Sequence, residues 1–211
     1  ISDIFEDWQG NVWVSTDQGY AIYDYQTGKF NQNSREILRQ FNIACDTVRR
    51  IGTDRKKKYL WAYDDSKIHI YDHEQNLTKI YPLAESAITR LFVTDEHIYS
   101  IYNSGKLYYT DINSSLTQEI PIPSQYKRLL ERHIPSVYID RNGGIWVYTF
   151  QNSLFLYKKN KQTEWEEIKL PIHTEQFNRI RHIAEDTKGN IWLITSHLGA
   201  FIYQPQSGNL T

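Results

Sequence analysis

The sequence has few of the residues that build disulfides or thiolate metal sites, and it has no long apolar run. Cys45 is its only cysteine, so the 211-residue chain cannot form an internal disulfide, and a single thiolate does not make a metal site by itself. No stretch reaches the roughly 18 apolar residues of a membrane span. Methionine is absent and the chain begins at Ile1 in a strand-like sequence, so we expect a segment of a longer polypeptide.

An excess of charge of one sign is also lacking. The formal net charge is -1 and the isoelectric point is about 6.7, which gives no electrostatic reason to expect nucleic-acid binding. Motifs for a serine nucleophile or a phosphate-binding loop are missing. His69 and His73 would lie roughly 13 Å apart along one strand, too far for one metal ion. The sequence therefore predicts no metal, no cofactor and no catalytic residue.

Aromatic residues, in contrast, make up 14% of the chain, and together with Ile and Val they favour half-buried strands. One motif recurs as DWQGNVWVST at 7–16, DRNGGIWVYT at 140–149 and DTKGNIWLIT at 186–195. Its aromatic position is occupied in turn by Trp13, Trp61, Tyr99, Trp146 and Trp192. The period of roughly 40 to 50 residues is typical of propeller blades.

Each repeat contains four strand-like segments separated by turn residues. We predict that the first strand of every repeat is closed by an aspartate, namely Asp7, Asp54, Asp95, Asp140 and Asp186. The pattern predicts an all-β fold, a β-propeller of four-stranded antiparallel blades. The five visible blades are expected at approximately 1–47, 48–87, 88–133, 134–179 and 180–211. Because a single blade cannot cover both of its faces, the repeated tryptophan is predicted to pack between neighbouring blades.

The pattern I..I.ED..GN.W..T..G...YD..TG.F, clearest at 1–30 and 180–210, resembles the two-component regulator propeller repeat. The resemblance covers all five units and is weakest in the third, which lacks both the glycine turn and the tryptophan. In that family the repeat forms the extracytoplasmic sensor of hybrid two-component systems from Bacteroides-type bacteria. Such sensors typically carry two seven-bladed propellers, a small β-sandwich, a membrane span and a histidine kinase.

The resemblance implies a role for this chain. It would be a periplasmic, non-enzymatic part of a seven-bladed sensor propeller in a histidine kinase that detects an oligosaccharide and signals to carbohydrate-utilisation genes. Its expected partners are a neighbouring propeller or β-sandwich domain of the same chain and a second copy in a homodimer. It would bind no nucleic acid, and it would reach the membrane only through a downstream span.

Two sets of polar residues are predicted to meet at one end of the blades, where first strands start and where second strands turn into third strands. Their residue types vary between blades, whereas the flanking apolar positions repeat. Such side chains orient sugar hydroxyls, and arginine binds a carboxylate or sulfate in a fork. The predicted ligand-binding residues are Asp17, Arg49, Arg50, Asp64, Arg90, Asn103, Phe150, Gln151, Asn152, Arg181, His182 and His197.

Within this set, clustering of Arg50, Arg90 and Arg181 would favour an anionic glycan group. Phe150 or Tyr20 is expected to offer an apolar ring face to the sugar.

Two other classes of function stay open at this point. A five-bladed propeller enzyme acting on glycans would need two carboxylates that flank the sugar bond. The pairs Glu6-Asp7 and Glu185-Asp186 occupy equivalent turn positions, where aspartate usually binds backbone amides, which leaves Asp3 with Asp64 as the candidate pair. A protein-interaction scaffold would instead expose a broad apolar patch.

Overall fold

The computed structural model describes residues 3–16, 19–25, 27–45, 47–124, 136–148, 154–158, 164–170 and 180–211. In these residues the protein is nearly all sheet, with five four-stranded antiparallel sheets and one short helix, α1 (Ser34–Gln40). No helix in the described ranges is long and apolar enough to cross a membrane.

In every sheet the strands lie side by side in chain order, so consecutive strands form hairpins. Blade 1 contains β1 (Asp3–Glu6), β2 (Val12–Thr16), β3 (Gly19–Asp24) and β4 (Lys29–Asn31). Blade 2, which follows α1, contains β5 (Arg50–Thr53), β6 (Tyr59–Tyr63), β7 (Lys67–Asp72) and β8 (Leu77–Pro82). Blade 3 contains β9 (Ile88–Val93), β10 (His97–Tyr102), β11 (Leu107–Asp111) and β12 (Thr117–Glu119).

The remaining strands form two further sheets. Blade 4 contains β13 (Ser136–Ile139), β14 (Ile145–Tyr148), β15 (Leu154–Lys158) and β16 (Glu164–Glu167). Blade 5 contains β17 (Ile180–Glu185), β18 (Ile191–Thr195), β19 (Ala200–Gln204) and β20 (Asn209–Leu210). The predicted fold class, an all-β propeller of four-stranded antiparallel blades with five blades, is confirmed.

The blades form two compact units. The first, Ile1–Asn103 with Leu107–Ile120, holds blades 1 to 3, and the second, Ser104–Lys106 with Pro121–Thr211, holds blades 4 and 5. In the first unit, apolar clusters fill the spaces between blades 1 and 2 and between blades 2 and 3. A third cluster lies between blades 4 and 5. Removal of apolar surface from water between sheets is the main stabilising contribution in such a fold.

The recurring tryptophan packs toward the following blade within each unit. Trp13 contacts the cluster that includes Leu60 and Ala62 of blade 2, and it is completely buried. Trp61 lies in the cluster with Leu91 of blade 3. Trp146, likewise buried, packs with Leu193 of blade 5. These three tryptophans are core residues, as predicted.

Trp192 departs from that prediction. Its side chain is 37% exposed, whereas Trp146 at the equivalent position of blade 4 has no exposed surface. Burial alternates along β18, where Ile191 and Leu193 face blade 4 and Trp192 and Ile194 lie on the other, exposed face. Burial of the motif tryptophan therefore requires a neighbouring blade and does not follow from the motif alone.

An aspartate carboxylate organises the turn between the first two strands of a blade. In blade 1, Oδ1 of Asp7 accepts hydrogen bonds from the backbone N–H groups of Gln9 and Asn11, at 2.9 and 3.0 Å. Oδ2 accepts the indole N–H of Trp13 at 2.9 Å. One buried carboxylate thus fixes the turn and orients the aromatic ring that fills the space between the blades.

The same arrangement recurs in blades 4 and 5. Asp140 binds the N–H groups of Asn142 and Gly144 and, at 2.8 Å, the indole of Trp146. Asp186 binds the N–H groups of Lys188 and Asn190 and, at 3.1 Å, the indole of Trp192. Because these carboxylates are occupied by amides and indoles, a structural role is favoured over a catalytic one for Asp7 and Asp186.

Blade 2 holds a longer version of the turn. Asp54 bonds to the N–H of Tyr59, five residues on, whereas Asp7 bonds to the N–H of a residue four positions on. The insertion displaces the indole of Trp61, whose buried Nε1 has no hydrogen-bond partner. The ring instead lies over Gly52, where an added Cβ would stand 2.3 Å from Cζ2 of Trp61. Glycine is therefore required at that position of β5.

In blade 3 the prediction that Asp95 closes the first strand is wrong. The backbone N–H of Thr94 donates to the carbonyl of His97 at 2.9 Å, and the Thr94 hydroxyl accepts the N–H of His97. Asp95 points out of this short turn and forms an ion pair with Lys56 of blade 2. In this turn Thr94, and not an aspartate, occupies the position that closes the hairpin.

The residue after the turn aspartate connects neighbouring blades. Trp8 stacks on His73 of blade 2 with ring centroids 5.1 Å apart. In blade 4 the guanidinium of Arg141 lies 2.7 Å from the buried carboxylate of Glu185 in blade 5. Arg141 also donates to the backbone carbonyl of Asp186 at 2.6 Å. These contacts join the turns of adjacent blades.

Replacement of the turn aspartate should destabilise the fold. In Asp140→Ala, two backbone amides and a buried indole lose their acceptor, so we expect the free energy of unfolding to fall by about 3 kcal/mol. Urea unfolding followed by tryptophan fluorescence measures this. The control Asp95→Ala removes only a surface ion pair and should cost less than about 1 kcal/mol. Equal losses in the two variants would show that the carboxylate does not organise the turn.

The turn of blade 5 should show a pH dependence. Hydrogen bonds from Asn190 and from Trp192 lower the pKa of Asp186 to about 2, from an ordinary value of 3.8. Because the folded pKa is depressed, the stabilising contribution is present above about pH 4 and is lost as the pH falls through 2. In NMR spectra the indole N–H of Trp192 should shift with a midpoint near pH 2, and Asp186→Asn should abolish this titration. A midpoint near 3.8 would contradict the depressed pKa.

Candidate functional site

The strand register places the start of each first strand beside the end of the second strand. In blade 1, Asp3 pairs with Ser15, near the turn that follows β2. Arg50 pairs with Tyr63 in blade 2, and Ile180 pairs with Thr195 in blade 5. We call this end, formed by the starts of the first strands and the turns between second and third strands, the variable end. The aspartate turns lie at the opposite end of the same sheets.

Two arginines at the variable end are already bound to carboxylates. Arg50 forms an ion pair of 2.9 Å with Asp3, which links the first strands of blades 1 and 2. Arg49 binds Asp65 in a two-bond fork at 2.7 and 2.8 Å on the exposed surface of blade 2. The hydrogen bonds and charges of this pair raise the pKa of Arg49 and lower the pKa of Asp65.

The positive charges of Arg50 and Arg90 both affect the pKa of the buried Tyr63 side chain. Burial raises the pKa of Tyr63, and the positive charges of Arg50 and Arg90, together with that of Arg49, partly offset this effect. Tyr63 packs in the apolar cluster between blades 2 and 3, and two of the three arginines predicted to cluster, Arg50 and Arg90, lie in one unit. Arg181 belongs to the second unit.

Arg90 and Arg181 differ from Arg49 and Arg50 in their surroundings. Both are exposed, and within the described ranges neither guanidinium has a hydrogen-bond or ion-pair partner. Each lies at a break in strand register: Thr89 is the extra residue before Arg90, and Arg181 is itself the extra residue between Ile180 and His182. Bulges redirect side chains and are common beside functional sites. Their role in binding an anion stays a prediction.

The other predicted residues are distributed as follows. Asn103 is exposed in the turn after β10, where its N–H donates to the carbonyl of Ala87 at 3.1 Å. His182 and His197 are exposed in blade 5. The remaining predicted ligand residues lie outside the described ranges, namely Asp17, Phe150, Gln151 and Asn152. Tyr20, named above as a ring face for a sugar, is instead 8% exposed and belongs to the core between blades 1 and 2.

Asp64 is directed into blade 2. Its Oδ1 accepts hydrogen bonds from the N–H and hydroxyl of Ser66, at 2.8 and 2.9 Å, and from the N–H of Lys67 at 2.8 Å. Its Oδ2 lies 3.9 Å from Nε2 of His69. Burial acts to raise the pKa of Asp64, but the hydrogen bonds from Ser66 and Lys67 outweigh it, and the pKa is lowered.

These contacts bear on the candidate catalytic pair Asp3 and Asp64. A glycosidase acid needs a raised pKa, so that it is protonated when substrate binds. The lowered pKa of Asp64 does not fit that role, and the Asp3 carboxylate is bound to Arg50. The geometry therefore gives no support to an acid and base pair at these positions.

One group of side chains in the described residues has the composition of a metal site. A ligand atom from each of Cys45, Asp64 and His69 lies within 4.8 Å of the others. The sequence interpretation compared His69 only with His73 and missed this group, because Cys45 lies in a connector with no motif spacing to the other two. Pairing of β6 with β7 and the path of the connector bring the three together.

Comparison with known proteins identifies the repeat. Residues 174–197, which include the motif of blade 5, match the two component regulator propeller family. This segment of the chain is similar to a two component regulator propeller repeat. The predicted resemblance to this family is thereby confirmed for these residues. No curated protein sequence matches the chain at a significant level.

Solved structures share the propeller fold. The extracellular domain of BT4673 from B. thetaiotaomicron, described as a hybrid two component system, aligns with a TM-score of 0.65 and 20% identity. A second structure of that domain, described as a one component system, aligns at 0.63 and 19%. Both alignments cover 100% of this chain and 27% of the other, so this chain spans about a quarter of their length.

A more distant structure has the same architecture. The β-propeller domain of Myceliophteria thermophila Cps50 (Swd1) aligns with a TM-score of 0.62 and 12% identity, over 97% of this chain and 65% of that one. At these levels of identity the solved structures establish only the fold of this chain. Any ligand has to be argued from the residues of the chain itself.

Proposed function

We propose that the chain is a non-enzymatic ligand-sensing module in the periplasmic part of a hybrid two-component sensor histidine kinase. It detects an oligosaccharide, and the receptor signals to carbohydrate-utilisation genes. The observation that carries the proposal is the regulator propeller repeat of blade 5. The likeness in fold to the extracellular domain of BT4673 supports an extracytoplasmic location.

The variable end supports recognition of a polar ligand. Scaffold residues repeat from blade to blade, but the side chains at this end differ, as recognition of an asymmetric molecule requires. In blade 3, the exposed guanidinium of Arg90 stands at the start of the sheet, and the amide of Asn103 lies in the turn at the same end. A guanidinium without a protein carboxylate binds a uronate or sulfate group of a glycan by a charge-assisted fork.

Signalling requires a ligand that binds one arrangement of the receptor better than another. The proposed partners are a neighbouring propeller or β-sandwich domain of the same chain and a second receptor copy in a homodimer. We also propose that the five blades belong to a larger, seven-bladed propeller. The exposed Trp192 and Ile194 support this, because the equivalent face of blade 4 is covered by blade 5.

Calorimetric titration with neutral, uronate-containing and sulfated oligosaccharides tests the proposal. We expect the 211-residue chain to bind an anionic oligosaccharide without releasing reducing ends. Arg90→Ala should weaken this binding by about 10- to 100-fold, because a charged hydrogen-bond donor is lost. Arg55→Ala, at the opposite end of blade 2, should change affinity by less than about twofold and serves as the charge-matched control.

Each outcome of this titration is informative. Release of reducing ends would support the glycan-active enzyme and overturn the sensor assignment. If Arg90→Ala and Arg55→Ala weakened oligosaccharide binding equally, the ligand would not bind at the variable end. Absence of binding across the panel would contradict an oligosaccharide site within this chain.

A further inference from the structure

Cys45, Asp64 and His69 converge beside the hairpin between β6 and β7. Asp64 directly follows β6, and His69 lies within β7, paired with Ala62 of β6. Cys45 belongs to the connector between α1 and β5, and it packs in the apolar cluster between blades 1 and 2. One sulfur, one oxygen and one nitrogen atom from these residues lie within 4.8 Å of one another.

His69 has unusual surroundings for a buried histidine. Its side chain is 2% exposed, yet neither Nδ1 nor Nε2 has a hydrogen-bond partner. A buried imidazole normally satisfies at least one ring nitrogen with a protein group or an ordered water. When the imidazole is neutral, one of these nitrogens carries a lone pair that can bind a metal ion.

The Asp64 carboxylate is oriented for the same space. The hydrogen bonds from Ser66 and Lys67 all go to Oδ1, which leaves Oδ2 facing His69 at 3.9 Å. This distance is too long for a hydrogen bond. Two ligands of a tetrahedral zinc ion, each about 2.1 Å from the metal, lie about 3.4 Å apart, so a small shift would bring both into coordination.

We propose that Cys45, Asp64 and His69 bind one divalent transition-metal ion, with Zn²⁺ as the ion that fits this donor set. Thiolate and imidazole ligands select zinc over magnesium and calcium, which prefer oxygen donors alone. On binding, the Cys45 thiol gives its proton to solvent and coordinates as the thiolate. Three protein ligands leave a fourth position of a tetrahedral ion for water.

Such an ion would join the connector after α1 to the hairpin of blade 2. Cys45 is the member of the group that lies in the connector, whereas Asp64 and His69 lie in the hairpin of β6 and β7. A metal ion bound here would therefore stabilise the position of the connector between α1 and β5. The site does not depend on the identity of the oligosaccharide.

Titration of the chelator-treated 211-residue chain with Co²⁺, followed by Zn²⁺, tests the proposal. We expect one Co²⁺ per chain and a near-ultraviolet sulfur-to-cobalt charge-transfer band, which Zn²⁺ abolishes. Cys45→Ser should remove the band and weaken zinc binding by at least about tenfold. Asp64→Asn keeps the Oδ1 acceptor of the turn and should weaken zinc binding to a similar degree.

Blade 3 offers a matched control. His97 Nε2 lies 3.9 Å from Asp111 Oδ2, the same separation as in the His69 and Asp64 pair, but no cysteine completes a group there in the described residues. We expect His69→Gln to weaken zinc binding by at least about tenfold and His97→Gln to leave it within about twofold. Equal effects of the two changes would overturn the proposal.

Absence of the charge-transfer band in the unmodified chain, or a band that survives Cys45→Ser, would also overturn the proposal. Because the band is first measured in the unmodified chain, the result does not depend on whether a variant folds.

Discussion

The fold depends on an aspartate carboxylate that accepts hydrogen bonds from backbone amides and from a tryptophan side chain at the same time. The turn aspartate binds two amides of the hairpin and the indole N–H of the tryptophan that fills the space beside the next blade. Local turn geometry and packing between blades are thus set by one residue. An antiparallel sheet of four short strands has little stability of its own, so a device that also orients the interblade aromatic ring is effective. Where the turn is lengthened at Asp54, the indole of Trp61 loses its partner and the packing relies on Gly52 instead.

Most of the fold could be predicted from the sequence because the repeated motif encodes local structure. The turn aspartates, the alternating strands and the period define blades without knowledge of long-range contacts. Two predictions failed where local resemblance was not enough. Asp95 lies within its turn, but its carboxylate pairs with Lys56, because Thr94 closes a shorter hairpin. Trp192 has the motif and its aspartate contact, yet its exposure depends on a neighbouring surface that no local pattern specifies.

The candidate site was less predictable, since its chemistry depends on which side chains pair with one another. Four arginines at the strand starts look alike in sequence. In the structure Arg49 and Arg50 are bound to Asp65 and Asp3, whereas Arg90 and Arg181 stand at register shifts without partners in the described ranges. The group of Cys45, Asp64 and His69 leaves no spacing signal at all, because a connector supplies one member and a hairpin supplies the other two. Only the burial of His69 with both nitrogens unsatisfied draws attention to it.

The direction in which the tryptophans pack has a consequence for how such chains change over time. Trp13, Trp61 and Trp146 each fill a gap on the side of the following blade, so every contact joins one kind of surface to a different one. Contacts of this head-to-tail type have no built-in termination. A gene duplication or deletion of one whole repeat would still leave a tryptophan-bearing surface against the next blade at each junction. Such a change in blade number would therefore keep the same kind of contact between blades.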